Sequence, residues 1–195
     1  MRKLMWLLPI VALIVGCGGE DESYFPLTAG NDWTYDMMGI QTTPSTSDTM
    51  MASYMMEIDD ATTLDNGTEV FPMIMTMTPD DTTAPVMVDT VYLEETDDYI
   101  MVYDSKADTI PSDTVLSFPL ELGKTWANYE ITDQVDVTVP AGDFSDCWEI
   151  MEAIDDDTSY SYWKSGVGVV KMDGTEIDDG TTFTSLMELV DYTVE

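Results

Sequence analysis

The sequence predicts an all-β protein, an antiparallel meander of about ten strands forming a curved sheet or half-barrel. Three observations carry that expectation. Apolar and polar residues alternate at a period of two, as where Val135, Val137 and Val139 are interleaved with Asp136 and Thr138, the pattern of a half-buried strand. Gly, Pro, Asn and Asp interrupt these runs at short intervals, as hairpin turns require. Beyond residue 17, no window of twelve residues holds a helical stripe. Strands joined by short turns pair with their chain neighbours, and the result is a meander.

The first strands are expected over 32–40 and 49–59. Asp65-Asn66-Gly67 is the strongest hairpin signal, because Asn-Gly suits a type I′ turn, and it opens a strand at 68–78. Pro79, Pro85 and Pro111 bound the next runs and place strands at 86–95 and 98–104. A long strand over 125–139 stops at Pro140, and strands at 147–155 and 158–165 follow. In the second of these, Tyr160 and Tyr162 alternate with Ser159 and Ser161. Asp173-Gly174 and Asp179-Gly180 read as turns that delimit strands at 168–173 and 181–193. Phe183, Met187 and Leu189 share one parity in the last strand, with Ser185 between them.

Apolar residues make up 44% of the 195 positions, enough for one sizeable core. The charge is one-sided, with 39 Asp and Glu against 6 Lys and Arg, a net of −33, and no histidine. This excludes nucleic-acid binding, which needs clustered Lys and Arg on phosphates. It also excludes histidine acid–base chemistry, Ser–His and Cys–His nucleophiles, and histidine metal sites.

The first 16 residues read as a signal peptide. Arg2 and Lys3 form a basic start, and Leu4 to Val15 is apolar but too short to span a bilayer, which takes about 20 residues. Ile14-Val15-Gly16-Cys17 resembles the lipobox of bacterial lipoproteins. That resemblance implies cleavage before Cys17, a lipid on its sulfur and a further acyl group such as palmitate on its amino group. Two or three acyl chains hold a protein stably to a membrane, whereas one does not. Residues 17–23 then form the anchor and a short polar tether, and residues 24–195 a single β-rich domain. Gly18 in place of Asp would favour outer-membrane sorting in enterobacterial lipoproteins, so the expected place is the cell envelope. The mature chain keeps Lys106, Lys124, Lys164 and Lys171, for a net charge of −35 (4 − 39). Cys147 then lacks a partner cysteine and reads as a buried free thiol.

Asp gathers in pairs at apparent turns, as at Asp59-Asp60, Asp80-Asp81 and Asp97-Asp98. These read as solvated surface, and a weak calcium site is the alternative. No metal ligand or cofactor is assigned. Met73, Met75 and Met77 put three thioethers on one strand face, which suits either core filling or Cu(I).

Phe25-Pro26-Leu27 with Gly30 and Trp33 recurs as Phe118-Pro119-Leu120 with Gly123 and Trp126, an offset of 93 residues. Tyr35 and Tyr129 complete the repeat over 25–35 and 118–129. Pro fixes an extended approach, Gly permits a tight turn and Trp starts a strand. Each Trp serves either the core or ligand stacking.

Tyr24-Phe25-Pro26-Leu27 followed by Gly30-Asn31, Trp33 and Tyr35, just after a lipobox, is similar to the start of many uncharacterised bacterial lipoproteins. The later segments Val139-Pro140-Ala141-Gly142-Asp143-Phe144, Cys147-Trp148-Glu149-Ile150 and Tyr162 to Lys171 resemble theirs too. The resemblance implies a half-barrel like those of periplasmic lipoprotein and lipid carriers, with a Gly-Val-Gly corner late in the chain, and it brings no catalytic residues. Three functions follow in order. The first is a non-enzymatic interaction or scaffold module docking another envelope protein. The second is a carrier of an apolar ligand or lipid in the concave face. The third is a hydrolase using carboxylates or a divalent ion.

Overall fold

The computed structural model describes residues 23–155, 157–178 and 180–195. Among the described residues, the regular elements are all strands, joined by turns and short irregular loops. The N-terminal half contributes β1 (Asp32–Thr42), β2 (Ser47–Ile58), β3 (Thr62–Thr63), β4 (Glu69–Pro79), β5 (Met87–Glu95), β6 (Tyr99–Tyr103) and β7 (Asp113–Ser117). The C-terminal half contributes β8 (Thr125–Trp126), β9 (Tyr129–Val139), β10 (Gly142–Ile154), β11 (Asp157–Lys164), β12 (Gly168–Asp178) and β13 (Thr181–Thr193). The class is as expected, with thirteen strands where about ten were counted.

All pairings are antiparallel, in the order β7-β6-β5-β4-β2-β1-β13-β12-β11-β10-β9-β8, with β3 off the path beside β4. Each half is a meander. They join where β1 pairs with β13, from Asp32 opposite Thr193 to Thr42 opposite Thr182. The first and last strands therefore lie at the centre of the sheet, and β7 and β8 are its two ends.

The sheet is nearly closed into a barrel, and side chains from the β8 region bridge the two ends. The Trp126 indole donates to the Thr114 carbonyl at 2.8 Å, and the Tyr129 hydroxyl donates to Asp113 at 2.6 Å. The Lys124 ammonium donates to the carbonyls of Ser117, Phe118 and Pro119. A half-barrel thus gains a seam held by side chains where a ladder would close it.

Three local expectations need correction. The run 125–139 is broken at Ala127 and Asn128, which turn β8 back onto β9 with Trp126 opposite Tyr129. At the 65–67 turn, the Gly67 amide donates to Leu64 and Gly67 alone takes a positive φ, of 94°. This is a three-residue loop closing on a left-handed glycine, and the type I′ turn would have needed positive φ at Asn66 as well. Gly174 lies inside β12, where an added Cβ would stand 3.0 Å from that of Ser159, so close packing rather than a turn explains it.

The 25–35 and 118–129 repeat is real at the level of hydrogen bonds. Gly30 and Gly123 take φ of 90° and 79°, donating to the carbonyls of Ile58 and Ile131 at 2.8 Å each. Those isoleucines donate back to Asn31 and Lys124, both at 2.9 Å. The side chains at the same two positions return to the preceding proline carbonyls, Asn31 to Pro26 and Lys124 to Pro119.

The core fills one end of the barrel. Trp33, Tyr35, Ile58, Leu93, Ile100, Leu116, Ile131, Ile150, Val170 and Leu189 are all at or below 2% exposure there. Phe25 stacks on Trp33 at 4.9 Å, and the Trp33 indole donates to the Val167 carbonyl. Val167 lies in the turn between β11 and β12, where the expected Gly-Val-Gly corner falls.

Candidate functional site

Direct cross-strand partners share a sheet face, so the register shows what the concave surface presents beyond the core. Trp33 and Tyr35 point inward, and so do Met37, Gly39 and Gln41, which follow at a period of two. One row crosses the sheet as Ser161, Met172, Met187, Met37 and Ala52. The next row outward is Glu152, Ser159, Gly174, Ser185, Gly39 and Met50. On the other flank Tyr54 faces Met77, which faces Met87, and Met75 lies opposite Met56.

Seven methionines therefore share the concave face at the end the core leaves open: Met37, Met50, Met75, Met77, Met87, Met172 and Met187. Met50, Met87 and Met172 are 40%, 49% and 39% exposed, although they face inward. In this half of the barrel, flexible thioethers meet solvent where a closed core would bury them.

A cleft of about 260 Å³ opens beside them between β10 and β13. Its floor is the short row Ser159, Gly174 and Ser185, which carves a trough because those side chains are small or absent. The Phe183 ring folds over Gly39 as an end wall, so close that a Cβ on Gly39 would stand 2.9 Å from it. Ile154 and Phe183 supply apolar surface, and Glu152, Asp157 and Glu176 supply carboxylates. The Ser159 hydroxyl donates to Glu152 at 3.3 Å, and Asp157 accepts the Ile177 amide at 2.8 Å. The phenol of Tyr54 titrates above its ordinary range through burial and the nearby charge of Asp89. Among the described residues, no group of three Cys, Asp or Glu side chains converges on a metal position.

Cys17 and the leader lie outside the described residues. Neither repeat tryptophan lines the cleft: Trp33 is core and Trp126 belongs to the seam. Met73 packs in the core at 9% exposure, while Met75 and Met77 reach the open face. Cys147 is a buried free thiol, raised to about 11 by desolvation, and it donates to the Phe144 carbonyl at 3.6 Å. Several Asp residues at turns are occupied locally. Asp81 accepts both the amide and the hydroxyl of Thr83, bonds that pull its pKa down, and Asp59 accepts the next amide. The trough was not found from sequence, since Ser159, Gly174 and Ser185 read as ordinary polar positions until the register aligns them.

No protein-family model matches the chain, and no curated protein matches it. Solved structures do. A candidate lipoprotein from Parabacteroides distasonis is similar at 12% identity and a TM-score of 0.52, covering 87% of this chain and 98% of that one. A candidate exported protein with a YmcC-like fold from Bacteroides fragilis is similar at 13% identity and a TM-score of 0.53, with the same coverage. At this identity the likeness is one of fold, and the fold is shared across nearly the whole length of both neighbours.

Proposed function

We propose that this chain is a non-enzymatic envelope lipoprotein, held to the membrane through acylated Cys17, that binds an apolar ligand in the open half of its barrel. One observation carries the reading. The core occupies one end only, and the other end keeps a 260 Å³ cleft beside partly exposed, inward-facing methionines. Ligand sites are concave, mostly apolar and equipped with a few polar groups, and Met adapts its shape to varied apolar partners. The lipobox-like sequence at Cys17 and the neighbours described as a lipoprotein and an exported protein support the envelope part. Native mass spectrometry of the chain released gently from its own membrane tests it. A discrete small-molecule adduct, beyond the acyl groups on Cys17, is expected, and a bare mass overturns the reading.

A second reading, a docking module, rests on a different observation. β6 covers only Tyr92–Glu95 of β5. Along Met87 to Val91 the ladder continues on the β4 side alone, and Val86 and Val88 there are 55% and 65% exposed. A bare apolar strand edge accepts an added strand. Crosslinking in cells followed by purification tests this. A stoichiometric partner that Val88→Lys abolishes supports docking, and no stoichiometric partner removes it.

A further inference from the structure

Every charged side chain lining the cleft is acidic. Glu152, Asp157 and Glu176 do so directly. Asp89, opposite Met75, and Asp48, opposite Gln41, stand on the same concave face. All four lysines of the mature chain are engaged elsewhere. Lys106 donates to the Thr62 hydroxyl at 2.9 Å, and Lys124 holds the seam carbonyls. Lys164 donates to the Ser145 carbonyl at 2.9 Å. Lys171 pairs with Asp173 at 3.0 Å and lies across from Glu188 on the convex face.

This arrangement discriminates between amphiphiles of the same shape. A fatty acid seated in the trough would place a carboxylate among carboxylates, where lower local dielectric strengthens repulsion and no base answers it. An ammonium group on the same alkyl body gains what the acid loses, and the aromatic face of Phe183, which lines the cleft, also attracts cations. We infer that the cleft selects an amphiphilic cation, an apolar body carrying an ammonium group, and rejects fatty acids and other anionic lipids. This specificity rests on the ligand-binding reading above.

Calorimetric titration tests it on the chain from residue 18 onward, since all thirteen strands and the core lie within Ser23–Glu195. The probes are dodecyltrimethylammonium, an uncharged dodecyl glycoside and dodecanoate, each below its micelle concentration, with tetramethylammonium as the charge without a tail. Dodecyltrimethylammonium is expected to bind about tenfold more tightly than the glycoside, with dodecanoate and tetramethylammonium showing no saturable heat. Glu152→Gln combined with Glu176→Gln should bring the cation down to the affinity of the glycoside. If the glycoside or dodecanoate binds as tightly as the cation, the charge selection is wrong while the apolar site stands. If neither the cation nor the glycoside binds, the ligand reading itself falls. Ser185→Trp, which fills the trough floor, should abolish cation binding. Unchanged binding there moves the ligand out of the cleft, and if that variant does not fold, the carboxamide pair decides alone.

Discussion

Replacing Lys124 by Met removes the one ammonium that spans the seam. Its nitrogen lies 3.0 Å from the carbonyls of both Ser117 and Pro119 and also bonds that of Phe118. Ser117 is only 5% exposed, so its carbonyl would lose its donor with little access to water, whereas exposed Pro119 would be rehydrated. A hydrogen bond to a charged group contributes about 1.5–3 kcal/mol, and three sharing one nitrogen do not add in full. We expect a loss of about 3 kcal/mol, or roughly 6–12 °C in Tm for a domain of this size. Any lysine removed from so acidic a chain also costs long-range attraction, and Lys106→Met controls for that. Lys106 makes one exposed hydrogen bond and lies 5.8 Å from the Tyr92 ring, so its loss should cost below about 1 kcal/mol. The assay is thermal unfolding by circular dichroism at 0.1 and 1 M NaCl. The difference between the variants should persist in high salt, because the seam bonds are short-range and partly buried. Equal melting of the two variants at 1 M would refute a seam held by Lys124.

Three other outcomes are expected. Raising NaCl from 0.1 to 1 M should raise the Tm of the parent chain, since Lys171–Asp173 is the one ion pair among the described residues and the remaining charge repels itself; an unchanged Tm would point to bound ions. Cys147, raised to about 11 by burial, should resist a disulfide reagent at pH 8 until denaturant is added, and immediate modification of the folded chain would contradict its placement. Tyr103, buried and donating to Glu94 at 2.6 Å, is raised to about 12, and Tyr35, Tyr54, Tyr129 and Tyr162 are raised as well. Folding holds these phenols neutral, so their contribution is complete below the unfolded value near 10 and is lost as pH climbs through 12. Tm should fall steadily from about pH 10 upward, and a flat profile to pH 11.5 would count against these environments.

Strand positions were legible because half-buried strands must alternate and hairpins need Gly, Asn or Pro. Val135 to Val139 and Phe183 to Leu189 are plain examples. β7 escaped, because its five residues include a single adjacent apolar pair, Val115-Leu116, and its role depends on a distant Trp126. Gly174 misled for a related reason: Asp-Gly signals a turn locally, yet here glycine answers to Ser159 on the neighbouring strand. The trough was invisible for the strongest reason. Ser159, Gly174, Ser185 and Gly39 come from four strands, and only register brings their small or absent side chains into one row. The alternating methionines suited core filling or Cu(I), and sequence alone could not separate Met73 in the core from Met77 at the mouth.

The central pairing of β1 with β13 has a consequence for how the chain is made. Asp32 meets Thr193, so the middle of the sheet waits for a strand synthesised 161 residues later (193 − 32). Until β13 arrives, β1 and β12 each present a long bare edge, and contacts of such sequence separation form slowly. A chain passed outward through a membrane from its N-terminus therefore cannot finish its barrel while the last strand is still inside. Such a delay would keep an exported chain threadable. It also means that a stop codon between β12 and β13 leaves two unmated halves rather than a slightly shorter protein.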